Sequence, residues 1–268
     1  MSAKGAKVYA PVIAWIFGEH FTAGSTEFEF ERNEIVAGAE ALGLPRPANV
    51  GDLIYSFRFR NELPIEVSST APSGREWIIE LAGRGRYRFR LVNAARVEPN
   101  PSLIPVKVPD ATPEIIVKYA QSDEQALLAR VRYNRLIDMF LSVTAYSLQS
   151  HLRTSVREVG QIEIDEVYVG VNLHGAHFIV PVQAKSGADQ IGVVQTSQDF
   201  AYCRDRYPSL VPRPVAAQFM SNAVIALFEL GLDDGEIGVH QEIHYRLVPA
   251  SDIDEDDLHG YRARSGLA

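Results

Sequence analysis

Two periods alternate along this chain, and each change of period marks an element. Val8 to Phe17 is a nearly unbroken apolar run, the mark of a buried helix or strand. Asn33 to Leu42 has helical spacing and stops at Gly43, a good residue for the C′ position of a helix. After a turn at Pro45-Arg46-Pro47, Asn49 is placed to cap a second helix to about Phe59, with Leu53, Ile54 and Phe57 on one face. Ile65 to Ser69 and Trp77 to Val92 read as strands, the second bent at Gly83-Arg84-Gly85. From Ser122 to about Leu152 the period is helical again. Leu127, Val131, Leu136, Phe140, Val143 and Leu148 line one broad face, and Ser122 with Gln125 fits a capping box.

A period of two then takes over. Ile162 to Val171, a turn at Asn172-Leu173-His174-Gly175, and Ala176 to Lys185 predict a β-hairpin. A helix from about Gly187 to Arg206 follows. Pro214 to Met220 and Val224 to Phe228 are strand-like around a turn at Ser221-Asn222, and Gly238 to Val248 is a last strand. Between the two halves lie Pro99, Pro101, Pro105, Pro109 and Pro113, which predict an extended linker over 98–113. The expected organisation is a first domain over 1–97, that linker, and a second domain over 114–268. The order helix-turn-helix then hairpin in the first domain resembles a winged-helix domain. The second reads as an α/β (α+β) domain with a mixed sheet flanked by helices.

The chain has 268 residues, 46% hydrophobic and 22% charged, enough to bury a real core. Its single cysteine, Cys203, excludes an internal disulfide and a cysteine metal cluster, and points to a reducing, cytoplasmic setting. No apolar run is long enough to span a bilayer, so no membrane partner is expected. The net charge of −8 lies wholly in residues 111–268, and the first 110 residues are neutral. Local patches therefore decide whether phosphate is bound. There is no Gly-x-Ser-x-Gly, phosphate-binding glycine loop or His-Glu-x-x-His. His174 and His177 flank the hairpin turn without a third zinc ligand nearby in sequence.

The candidate chemistry sits on the hairpin. By strand alternation Glu163, Asp165 and Val167 share one face, and so do Gln183 and Lys185 on the partner strand. Where these faces coincide, two oxygen ligands, a further acid and a lysine converge. That set suits Mg²⁺ (or Mn²⁺) and a phosphodiester: hard oxygens for the cation, a cation to neutralise the phosphate, and a lysine for the attacking water or the developing charge.

Asp165 followed by Gln183-Ala184-Lys185 resembles the PD-(D/E)XK nuclease superfamily of restriction-endonuclease-like proteins. Gln183 stands where an acid is usual, as in the Gln-x-Lys variant of Mrr-type enzymes. The resemblance implies a restriction-endonuclease-like fold, Asp165 and Gln183 as metal ligands, and Lys185 as the water-assisting residue. Glu163 is the alternative source of the missing charge. Gln198-Asp199-Phe200-Ala201-Tyr202 resembles the Gln-x-x-x-Tyr helix motif of the RecB-like branch, with Gln198 and Tyr202 on one helix face. Superfamily members often place an acid before the hairpin, for which Glu158 is preferred over Glu124 as closer in sequence. The bland reading of Glu163 and Asp165 is a solvent-facing strand.

A second patch concerns substrate. Arg84, Arg86, Arg88 and Arg90 alternate along one strand face, roughly 6.6 Å apart by the usual rise. Four like charges in a row repel unless something anionic lies along them, and a phosphate backbone is a natural partner. Arg58 and Arg60 add charge at the end of the second helix. The other reading is a solvated edge strand that discourages aggregation. The sequence therefore predicts a Mg²⁺-dependent DNA endonuclease acting on double-stranded DNA. A homodimer would cut both strands, in restriction-type defence or in repair. The alternative is a DNA-binding regulator whose nuclease fold does not cut.

Overall fold

The computed structural model describes residues 3–47, 49–120, 123–157, 159–186 and 189–264. The first half runs α1 (Ala3–His20), β1 (Glu27–Glu31), α2 (Glu34–Ala41), α3 (Val50–Phe59), α4 (Ile65–Ser68), β2 (Glu76–Gly83) and β3 (Arg86–Val92). The apolar run at the start is α1, and its Val12, Ile13, Ile16 and Phe17 are buried against α2, α3 and a small sheet. That sheet is antiparallel, in the order β1-β3-β2. Asn49 caps α3 as its sequence position predicts, accepting from the N–H groups of Gly51 and Asp52. Ile65–Ser68 is a helical turn, not the strand its β-branched residues suggest. Pro64 stands at its N-cap, and of its side chains only Val67 is buried.

The chain crosses over through β4 (Arg96–Val97) and β5 (Val106–Pro109), then α5 (Glu114–Tyr119), α6 (Asp123–Tyr133) and α7 (Leu136–Leu141). There follow β6 (Thr144–Val156), β7 (Gly160–Val171), β8 (His177–Lys185), β9 (Ile191–Gly192), α8 (Val193–Arg206), β10 (Val211–Pro212), β11 (Val215–Phe219), β12 (Val224–Asp233), β13 (Glu236–Val248) and α9 (Glu255–Arg264). One mixed, mostly antiparallel sheet carries this half, in the order β5-β13-β12-β11-β8-β7-β6, with β10 also on β8. β8 runs parallel to β11 and antiparallel to β7. Helices α6 and α7 cover one face through Leu127, Val131, Leu136 and Phe140 against Val180, Val182 and Ala184. Helix α8 covers the other through Tyr202 and Cys203 against Ile164, Val167 and Ile179. The protein is thus a mixed α+β molecule with a helix-flanked sheet.

Three sequence expectations are corrected. The long helix to Leu152 ends at Leu141, because Arg135 and Ser142 take left-handed conformations, and Leu148 lies half-exposed on β6. The helix expected from Gly187 starts instead at Val193, after β9. The proline-rich segment is not a free linker. Val106–Pro109 adds a parallel edge strand beside Tyr245–Val248, and an edge is where a sheet tolerates proline. The two halves also touch: β4 pairs with β9, and Ile78 and Val92 pack with Val193 and Val194. Among the described residues no helix is long and apolar enough to cross a membrane.

Candidate functional site

The hairpin forms where the sequence places it. Asn172 holds its turn by accepting from the N–H groups of His174 and Ala176, and Gly175 supplies the positive φ. The β7–β8 ladder runs from Val171↔His177 to Glu166↔Val182. Beyond that pair, side chains take over the bonding. Asp165 Oδ2 accepts from the backbone N–H of Ala184 at 2.7 Å, and Gln183 Nε2 donates to the carbonyl of Glu163 at 3.2 Å. Asp165 thus reaches across to the residue between Gln183 and Lys185, and the three predicted site residues share one end of the hairpin.

Strict alternation does not run through this point. Ile162, Ile164 and Val167 all belong to the core under α8, so the side-chain phase slips between Ile164 and Val167. The expectation that Glu163, Asp165 and Val167 share a face is corrected accordingly: Val167 is fully buried, whereas Glu163 is exposed. Glu163 has its own partner, Arg153 at 3.0 Å, in a pair 47% and 69% exposed and hence weak. Glu166, the residue after Asp165, is fully buried. It accepts from Arg132 Nε at 2.8 Å and from the Ser147 hydroxyl at 2.6 Å, which ties β7 to α6 and β6.

Helix α8 brings a residue that sequence reasoning missed. Asp199, 1% exposed, accepts from Gln183 Nε2 at 3.0 Å (Oδ1) and 3.2 Å (Oδ2). The signal was a carboxyl within the buried stripe Thr196, Asp199, Phe200, Cys203, where an unpaired charge is costly. Gln198 and Tyr202 are also buried. Tyr202 lies in the core against the Tyr207 ring, and the buried Gln198 Nε2 has no hydrogen-bond partner among the described residues. The acid behind the hairpin is therefore their neighbour.

Three carboxyls gather around Lys185, each held above its ordinary pKa. For Asp165 the largest cause is burial, with Glu163 adding to it, while the Ala184 N–H and the Lys185 and His151 charges pull the other way. For Asp199 burial again leads. The Gln183 hydrogen bond and Lys185 oppose it, and Asp165 reinforces it. Glu124, on the first turn of α6, is raised by burial and by Asp165, Asp189 and Glu163, against Lys185. Glu124 is therefore close enough to feel the site's charges. Glu158, preferred from sequence, lies outside the described residues. Among the described residues no three His, Cys, Asp or Glu side chains group into a metal cage. The oxygens at hand are the Asp165 and Glu124 carboxylates and the Gln183 amide oxygen, hard donors in excess of the one lysine, a set that fits Mg²⁺ with retained waters.

The arginine strand has an anionic partner within the chain. In the β1–β3 register Glu27 and Glu29 stand opposite Arg90 and Arg88. Arg88 bonds Glu29 at 2.8 Å and lies 3.5 Å from Glu27, and Arg86 reaches Glu29 at 3.5 Å. Arg90 pairs with Glu80 at 3.2 Å and Glu236 at 3.5 Å. The Arg88 hydrogen bond holds Glu29 below the usual carboxylate range. The premise that this row of charge needs an external anion is corrected: its neighbours on both flanking strands neutralise it. Arg84 stays exposed at the β2–β3 tip, and Arg60 lies over the Tyr55 ring. Arg58 is largely buried, which pulls its guanidinium down to about 10, and it lines a cleft of about 680 Å³ between the two halves. No family model, curated protein or solved structure matches this chain.

Proposed function

We propose that this protein is a Mg²⁺-dependent DNA endonuclease of the restriction-endonuclease type, with its site at the open end of the β7–β8 hairpin. The observation that carries the reading is the meeting of Asp165, Gln183 and Lys185 there, with Glu124 adding a second carboxyl. Raised carboxyls crowded around one lysine are held in an arrangement that costs stability, as functional sites commonly are. A cation of hard character relieves that cost.

When bound, Mg²⁺ supplies positive charge that draws electron density from a phosphoryl oxygen. Asp165 and the Gln183 oxygen would hold the cation, and Glu124 or Glu163 would complete the charge. Lys185 donates a hydrogen bond to the attacking water or to the phosphoryl oxygen that gains charge. The half-buried setting of Asp165 and Lys185 strengthens each of these contacts relative to bulk water.

The order α-β-α-α-α-β-β, in which α4 is a single extra turn, with a three-stranded sheet supports the winged-helix reading of the first half, and DNA is the substrate it suits. A homodimer fits cleavage of both strands. Defence against foreign DNA is the role this reading favours.

The test uses supercoiled and linear DNA with Mg²⁺ or Mn²⁺. Wild type nicks or linearises it, whereas Asp165→Ala and Lys185→Ala lose at least about 10²-fold in rate. Equal inertness of all three across a broad substrate set overturns the enzyme reading. Binding without cutting supports the alternative, a DNA-binding protein on an inactive nuclease fold, which the neutral Gln183 favours.

A further inference from the structure

We propose that Asp199 is the positioning residue of this site: it fixes the Gln183 amide with its oxygen toward the cation and makes glutamine the residue that fits position 183. The proposal rests on the nuclease reading for its purpose, and on α8–β8 geometry for its substance.

A glutamine amide has two N–H donors on nitrogen and acceptor capacity on oxygen, at opposite ends of one planar group. Here both donors are committed on one side. One goes to the Glu163 carbonyl at 3.2 Å, and the other to the two Asp199 oxygens at 3.0 and 3.2 Å. Both Asp199 oxygens face Nε2, so the contact selects the nitrogen end of the amide. Oxygen Oε1, at the other end of the amide, takes part in neither of these contacts. Turned the other way, the amide would present two hydrogens to a cation and oppose oxygen with oxygen at Asp199 and Glu163. Gln183 is 4% exposed and Asp199 1%, so water does not stand in for either partner.

The same contact explains why a neutral residue occupies the strand. A glutamate at 183 would set two carboxylates about 3 Å apart with almost no solvent, a like-charge pair that cannot both ionise. Asp199 already places a carboxyl directly behind the strand, from α8. The Gln183–Asp199 pair therefore carries one carboxyl and one amide across two elements, and the positions should tolerate exchange together but not separately.

The experiment compares wild type, Asp199→Asn, Gln183→Glu and the double variant Gln183→Glu/Asp199→Asn. Two readouts are used, Mn²⁺ titration by calorimetry and the side-chain amide resonances of Gln183 in the metal-free protein. The asparagine amide can donate as well as accept, so Asp199→Asn should shift and broaden the Gln183 resonances and weaken Mn²⁺ about tenfold. Gln183→Glu alone should lower the melting temperature. The double variant should recover it and bind Mn²⁺ at least as well as wild type. Wild-type Mn²⁺ affinity together with unmoved Gln183 resonances in Asp199→Asn overturns the proposal. So does a double variant no better than Gln183→Glu. If wild type binds no Mn²⁺ while the resonances still move with Asp199→Asn, the nuclease reading fails and the positioning of the amide stands.

Discussion

Burial, with the charge of Asp165 behind it, holds Asp199 well above its ordinary value of 3.8, and Gln183 only partly offsets that. Asp165 and Glu124 are displaced the same way. A group whose folded pKa is raised keeps its proton in the folded chain after the unfolded chain has released it. On account of these three groups, stability falls as pH rises from the unfolded carboxylate values through the folded ones. Asp199→Asn removes one of them while keeping an acceptor for Gln183. Thermal melts of the metal-free protein between about pH 4 and 8 should therefore show Asp199→Asn above wild type at neutral pH, with the gap closing toward the acid end. A gap independent of pH would mean that Asp199 is ionised at no cost. If Asp199 positions a cation ligand as proposed, stability and cation binding are opposed at one residue. That Asp165, Gln183 and Lys185 meet at one end of a hairpin was legible in sequence because a hairpin is local and its turn sets the pairing. Asp199 was not, because its partner lies on another element and burial of a polar side chain is a tertiary fact.

At the level of elements, the hairpin is held from outside by the Arg132–Glu166 pair between α6 and β7. Glu166 is fully buried while Arg132 is partly exposed, so removing the arginine strands a charge in the core. Arg132→Ala should cost about 3 kcal/mol in urea unfolding, and Arg132→Met/Glu166→Leu much less than the single change. Since Glu166 adjoins Asp165, the single variant should also weaken Mn²⁺. Helices α1 and α2 meet at Gly38, where an added Cβ would lie 2.6 Å from the Trp15 ring. Gly38→Ala should thus destabilise by about 1–3 kcal/mol, although alanine is the better helix former. Strands β7, β8, β11 and β13 were read to within about two residues from their apolar runs and turn residues, whereas β12 runs on to Asp233 and the two-residue β9 and β10 carry no period to read. The helix predicted to Leu152 was not, because Leu148 continues the helical spacing by chance after Ser142 has broken the backbone. Ile65–Ser68 shows the same limit: a short apolar run does not distinguish strand from helix.

Across the whole molecule, the arginine strand divides into structural and exposed charges. Glu236, at the start of β13, meets Arg90 at 3.5 Å and Arg75 at 3.6 Å, and accepts from the Asn93 N–H at 3.3 Å. Arg90 therefore helps join the first half to the second, in addition to its pair with Glu80. Arg88 is shared by Glu27 and Glu29 on β1. Arg84 at the hairpin tip and Arg86, more exposed than Arg88 or Arg90 and held only by a 3.5 Å contact to Glu29, are the charges best placed to meet a phosphate backbone. If the first half holds DNA, Arg84→Ala and Arg86→Ala should each weaken binding without changing sequence preference. Each should also reduce the slope of log affinity against log salt by about 1, one released counterion per phosphate contact. Arg88→Ala and Arg90→Ala should instead lower the melting temperature and leave that slope nearly unchanged, because their counter-charges are glutamates already in the chain. Fluorescence anisotropy on a short duplex across a salt series, with melting curves for the same four variants, separates the two groups. A salt slope that falls equally for all four would mean that the glutamate pairs open on binding and that the whole strand faces the backbone.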